Sequence, residues 1–197
     1  MVDVKEYEKF DEIGKSKEKK QIILCHTSRE VREYLTSLKF RYNKKFDKIP
    51  NFIVTREGQV LKLLSELSYS NFFFEEETNK KSIIISLENL GWLEKKPLTN
   101  QYINWNGNIY NGEPYVKKWR EYFFWQPYTE IQMSKTFELC YKLCKQFGIN
   151  KNCSGHNTKI DGIEKFEGIV SRSNYDVRFT DLNPSFNFER FLKNKEI

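Results

Sequence analysis

Gln21-Ile22-Ile23-Leu24-Cys25 is a short apolar run whose length and branching predict a buried strand. Thr27 and Glu30 follow with the spacing of a capping box. Val31, Tyr34, Leu35 and Leu38 then recur at helical spacing, which predicts a helix to about Phe40. Phe52-Ile53-Val54 and Val60–Leu64 read as two strands joined by a tight turn, with Gly58 supplying the positive φ. Ser82–Leu87 is nearly all apolar, as in a strand buried on both faces. Thr129 opens a long helix carrying Ile131, Leu139, Leu143 and Phe147, and Gly148 ends it. Gly168-Ile169-Val170 predicts a last strand, and Phe186, Phe188, Phe191 and Leu192 a docked aromatic tail. Strands alternate with helices, so the expected fold is α/β: a central mixed β-sheet flanked by helices.

Two segments depart from this rhythm. Residues 1–20 are mostly charged and read as a solvated N-terminal arm, or a docking arm, ahead of a domain spanning residues 21–197. Residues 91–128 are rich in Trp, Tyr, Asn, Gly and Pro, the composition of a long ordered loop or small subdomain inserted in that domain. A chain of 197 residues suits one domain. Its longest apolar runs reach three or four residues, far from the ~20 of a membrane-spanning helix, and Met1–Glu6 has no apolar signal region. The expectation is a protein made in a cytoplasm, without a signal peptide and without a membrane partner. Alanine is absent, so Cys, Ser and Gly must fill small gaps in the core. The four cysteines are expected to be reduced. A net charge of +6 suits an acidic polymer, but Lys and Glu are intermixed, so no basic patch for nucleic acid stands out.

Five segments, in order, resemble the zinc-dependent N-acetylmuramoyl-L-alanine amidases of type 2 and their peptidoglycan-recognition relatives, bacteriophage members included. Ile22–Thr27 resembles a strand ending in a metal-binding His, Phe52–Val60 a hairpin, and Ser82–Asn89 a central strand. Tyr128–Gln132 resembles the start of the family's helix. Gly168–Asn174 with Thr180–Phe186 resembles its closing motif. The resemblance implies the family's α/β fold with an aromatic-rich insertion, peptidoglycan as partner and synthesis in a bacterial cytoplasm. It also implies chemistry in which three side chains hold Zn²⁺ and leave a fourth position for water.

Residue by residue, the resemblance places His26 at the first ligand and Asp181 at the third. The second ligand position falls on Arg172, whose guanidinium has no lone pair to give. The catalytic Glu position falls on Ser86, and a catalytic Lys position on Phe179. The metal site is therefore degenerate, and the expectation is an impaired amidase acting as a wall-binding or structural module of a bacteriophage particle, with other virion proteins as further partners. An ion pair between Arg172 and Asp181 would replace the metal's charge. The alternative is an active zinc amidase cutting the muramoyl–L-Ala bond, with His156 replacing the lost ligand and Glu88 as the nearest carboxylate. Zn²⁺ is the expected cofactor in that case and none otherwise. A separate metal reading joins Cys140, Cys144, Cys153 and His156, with cysteines as core fillers the alternative. Trp105, Trp119 and Trp125 of the insertion are candidates for stacking on sugar rings, against packing or a partner surface as alternatives.

Overall fold

The structure, a computed structural model, describes residues 3–7, 10–73, 75–99 and 101–190. The elements run β1 (Val4–Glu6), β2 (Gly14–Lys15), β3 (Gln21–His26), α1 (Val31–Phe40), β4 (Phe52–Val54), β5 (Val60–Lys62), β6 (Ser68–Tyr69), α2 (Glu76–Lys81) and β7 (Ser82–Leu87). There follow β8 (Trp92–Lys95), β9 (Tyr102–Ile103), β10 (Ile109–Tyr110), β11 (Tyr115–Trp119), β12 (Tyr122–Trp125), α3 (Glu130–Phe147) and β13 (Gly168–Ser171).

The central sheet has six strands in the order β1-β5-β4-β7-β3-β13, mixed because β5 runs antiparallel to β4 while β4, β7, β3 and β13 are mutually parallel. Its middle strands β3 and β7 are buried along their whole length. Alternate side chains serve opposite faces, as the two-residue period of a strand requires. Ile22 and Leu24 pack with Met133, Phe137 and Cys140 of α3, whereas Ile23 and Cys25 pack with Ile84, Ile163 and Val170 on the other side. Helix α1 seats Tyr34, Leu35 and Leu38 against Ile53 and Leu61 at the far end of that second face. Thr129 caps α3 by accepting the Gln132 N–H at 3.2 Å, and Gly148 ends it in the left-handed region, as the sequence predicts.

The structure corrects two expectations and decides a third. Residues 1–20 do not form a free arm: β1 adds a parallel edge strand to β5, β2 pairs with β6, and Lys19 is buried with its ammonium donating to the Lys80 and Ser82 carbonyls. Val4 of this edge packs, partly buried, against the core. Thr27 does not cap α1, because its hydroxyl is turned to the Arg29 carbonyl; the Val31 N–H is instead accepted by Glu88 from across the sheet at 2.7 Å. Of the two forms expected of the insertion, it takes the small subdomain: a five-stranded sheet in the order β10-β9-β8-β12-β11, antiparallel throughout. In the tail, Phe186 and Phe188 dock on the core, while Phe191 and Leu192 lie outside the described residues. Among the described residues no helix is long and apolar enough to cross a membrane.

Candidate functional site

Parallel strands end at the same edge of a sheet, and ligands of open α/β sheets sit beyond those ends. The register here places Cys25 beside Ser86, His26 beside Leu87, and Ser171 beside Leu24, so the chain leaves β3, β7 and β13 at one edge. His26, Glu88 and Arg172 therefore emerge together, although 62 and 146 positions of sequence separate the last two from the first. A cavity of about 600 Å³ opens there, lined among others by His26, Tyr34, Phe72, Trp105, Arg172 and Phe179.

At its buried end Asp181, wholly inaccessible, accepts the His26 backbone N–H at 3.1 Å and pairs with Arg172, whose Nε lies 2.9 Å from Oδ2 and 3.1 Å from Oδ1. The ion pair expected from the two aligned positions is thus present. The guanidinium is also held by rings, with its carbon 4.5 Å from the Phe179 centroid and 5.7 Å from that of Phe72. Burial works against the Arg172 charge, but Asp181 outweighs it and raises the pKa above its ordinary value.

His26 sits beside this pair with its ring fixed from the other side. Nδ1 accepts the Ser28 N–H at 3.1 Å and lies 3.0 Å from the Ser28 hydroxyl, while Nε2 is buried without a hydrogen bond. A backbone N–H can only donate, so the neutral ring carries its proton on Nε2. Burial first of all, and then Arg172, pull the pKa of His26 below its usual value; Asp181 and the Thr180 backbone oppose this but do not prevail. Gly91 packs against the ring: a Cβ there would stand 2.8 Å from Cε1, and its φ of +79° suits glycine.

These donors do not fit a zinc ion. One histidine nitrogen is occupied by an N–H and the other carries a proton, both Asp181 oxygens serve Arg172, and the residue at the second position is a cation. Among the described residues no three His, Cys, Asp or Glu side chains gather as a metal-holding group. The structure does not bring His156 to this cavity. Its loop lies near Asp181, since Asn157 donates to the Leu182 carbonyl at 2.7 Å, but the imidazole is exposed and its Nδ1 is engaged by Thr158. Cys140 and Cys144 are buried in the core on α3 and Cys153 bridges to Ile169, which matches core filling; their thiols are pushed up by burial.

The remaining positions have structural partners. Ser86 bonds Cys25 Sγ at 2.9 Å beside the Tyr34 phenol, and burial pushes the Cys25 thiol up to about 12 and Tyr34 above its ordinary range. Glu88 spends both oxygens on backbone amides, Val31 N–H at 2.7 Å and Arg56 N–H at 3.0 Å, and does not line the cavity. As a catalytic candidate it is corrected to a helix cap. Of the tryptophans only Trp105 reaches the site, half exposed, with the Arg29 guanidinium 5.1 Å from its ring centre. Trp125 is wholly buried with its N–H given to the Lys117 carbonyl, and Trp119 leans on it, so these two pack the insertion. Asn104 pins the insertion to the site by donating to the Ser28 and Leu90 carbonyls. Sequence reasoning missed the cavity's cations, Arg29, Arg41, Lys45 and Lys48, because they come from two short stretches of a chain in which both signs are intermixed.

The family model described as N-acetylmuramoyl-L-alanine amidase matches residues 15–167. The chain belongs to this family, and the matched span ends just before β13, so that it includes His26 but neither Arg172 nor Asp181. No curated protein matches the sequence significantly. Among solved structures, the N-acetylmuramoyl-L-alanine amidase LysC from Clostridium intestinale URNW is 12% identical with a TM-score of 0.57, covering 97% of this chain and 95% of that one. The endolysine N-acetylmuramoyl-L-alanine amidase LysCS from the same organism is 11% identical with a TM-score of 0.58, covering 97% and 93%. The N-acetylmuramyl-L-alanine amidase AmiD from E. coli, solved with the substrate anhydro-N-acetylmuramic acid-L-Ala-D-gamma-Glu-L-Lys, is 15% identical with a TM-score of 0.51, covering 93% and 59%. At these identities the likeness is one of fold, and the mixed sheet with its covering helices is the amidase fold.

Proposed function

We propose that this amidase-family domain binds peptidoglycan without hydrolysing it and serves as a wall-binding module of a bacteriophage particle. The observation that carries the proposal is the buried Arg172–Asp181 pair, 2.9 Å apart, at the place where the family resemblance puts two metal ligands. A guanidinium in contact with Asp181 holds the carboxylate that a metal would need and repels a second cation. The neighbouring groups offer no substitute. A thiol raised to about 12 is no nucleophile at neutral pH, and Glu88 is committed to two backbone amides. What survives is the groove, the fold and an aromatic rim at Trp105. The endolysine among the structures of like fold supports the bacteriophage setting.

Hydrolysis and binding separate in one experiment. Purified protein mixed with insoluble peptidoglycan is expected to sediment with it and to release no soluble muropeptides, with or without added zinc. Release of peptides at a rate proportional to protein, abolished by Asp181→Ala, would overturn the proposal.

A further inference from the structure

The buried end of the cavity is electrically closed, since Arg172 and Asp181 cancel. Its rim is not. Arg29, Arg41 and Lys45 line it, and the lining carboxylate, Asp47, already accepts the Asn71 amide at 2.7 Å. A concave surface with an excess of one charge focuses potential and gathers the opposite sign. The rim is also held in shape. Arg41 lies over the Phe46 ring at 4.4 Å and near Tyr42 at 5.7 Å. Tyr42, Asn43 and Lys44 run consecutively with positive φ between 49° and 68°, a conformation that side-chain-bearing residues adopt at a cost of order 1 kcal/mol each. Three such residues in a row bend the chain so that Arg41, Lys45 and Lys48 all reach one cavity. Trp105, half exposed, lines the same cavity with the Arg29 guanidinium 5.1 Å from its ring centre, and its remaining surface is suited to a sugar ring. About 600 Å³ is room for a disaccharide-sized ligand.

We infer that this cavity is an anion-selective saccharide site, which takes a sugar ring bearing a free acid group, the acid on Arg41 and Lys45 and the ring on Trp105. The inference deepens the binding role proposed above and rests on it for the setting. It separates two states of wall glycan. A muramic acid whose lactyl group is amide-linked to peptide has no charge at that position, whereas one stripped of peptide carries a lactyl carboxylate there. Phosphate borne on a wall sugar presents the same chemistry from another source. Charge-assisted bonds from guanidinium and ammonium groups are about twice as strong as neutral ones, so the charged forms are favoured.

Calorimetric titration of the full chain with N-acetylmuramic acid, N-acetylglucosamine 6-phosphate, N-acetylglucosamine and muramoyl dipeptide tests this. The two acidic sugars are expected to bind about tenfold or more tighter than the neutral one, with the more populated source named by which acid binds better. Muramoyl dipeptide, whose lactyl group is amidated, is expected to fall below N-acetylmuramic acid. Arg41→Ala and Lys45→Ala should each lose about tenfold for the acidic sugars only, and Trp105→Ala should weaken all four. Raising ionic strength from about 0.05 to about 0.5 M should erase most of the preference. Equal binding of acidic and neutral sugars, no binding of any, or unchanged affinity in Arg41→Ala and Lys45→Ala with wild-type melting curves would overturn the inference. Sedimentation with intact peptidoglycan, run beside the titration, reads the wall-binding proposal separately. Sedimentation without acid preference sinks only this inference, and acid preference without sedimentation sinks only that proposal.

Discussion

The two ends of one cavity treat charge in opposite ways. At the buried end, an inaccessible carboxylate and a guanidinium are locked together, stacked on Phe72 and Phe179 and backed by the His26 amide. At the exposed end, Arg29, Arg41 and Lys45 line the cavity with one carboxylate, Asp47, among the lining residues. The first arrangement costs desolvation and returns it as a pair, so it is structural and intolerant of change. The second is solvated, cheap to alter and tuned to binding. Arg172 and Phe179, the residues that the resemblance placed at a ligand and a Lys position, pack on each other.

The sharpest way to break this contrast is to remove one partner of the buried pair. Asp181→Ala strands a buried guanidinium and should cost about 3–5 kcal/mol in denaturant unfolding. A loss under about 1 kcal/mol would mean that the pair is not structural. Glu88→Ala comes next, with two charge-assisted bonds to Val31 and Arg56 lost, for about 2–3 kcal/mol in the same measurement. If Glu88 were instead a catalytic base, its removal would leave stability unchanged.

A pH series extends the contrast to His26. Its folded pKa lies below the unfolded value of 6.5, so the unfolded chain takes up the proton first as pH falls. The contribution is complete above about pH 6.5 and is lost on acidification, with a slope of up to about 1.4 kcal/mol per pH unit. Between pH 6.5 and 5 this slope should be absent in His26→Phe; an unchanged slope in that variant would assign the titration to another group. The rim should show the smallest effect on folding. Arg41→Ala and Lys45→Ala are expected to stay within about 0.5 kcal/mol of the parent in urea, since both side chains reach solvent.

Much of this architecture was readable in the chain. The apolar runs at 22–25, 52–54 and 82–87, the Gly58 turn and the Thr129–Gly148 limits of α3 each have a local cause, and each stands where that cause puts it. The insertion's sheet was not readable, because β9 and β10 are two residues long and are held by pairing with distant strands rather than by pattern. The same holds for β1, a three-residue edge whose charges face solvent. In the site, aligned motifs pointed to His26, Arg172 and Asp181, and the structure brings those three together. His156 and Glu88 were chosen for residue type and nearness in sequence, neither of which says where a side chain ends up. The cationic rim was invisible for a related reason: Arg29 and Arg41 flank α1 and Lys45 follows a left-handed turn, so that only the folded chain brings them to one cavity.

The account stands on the buried ion pair taking the place of a metal. Elemental analysis of zinc in the purified chain, with His26→Ala alongside, addresses it most directly. The account predicts no stoichiometric zinc in either protein, even after incubation with excess metal and removal of the unbound ion. About one zinc per parent chain, lost in His26→Ala, would contradict it and return the domain to the hydrolases.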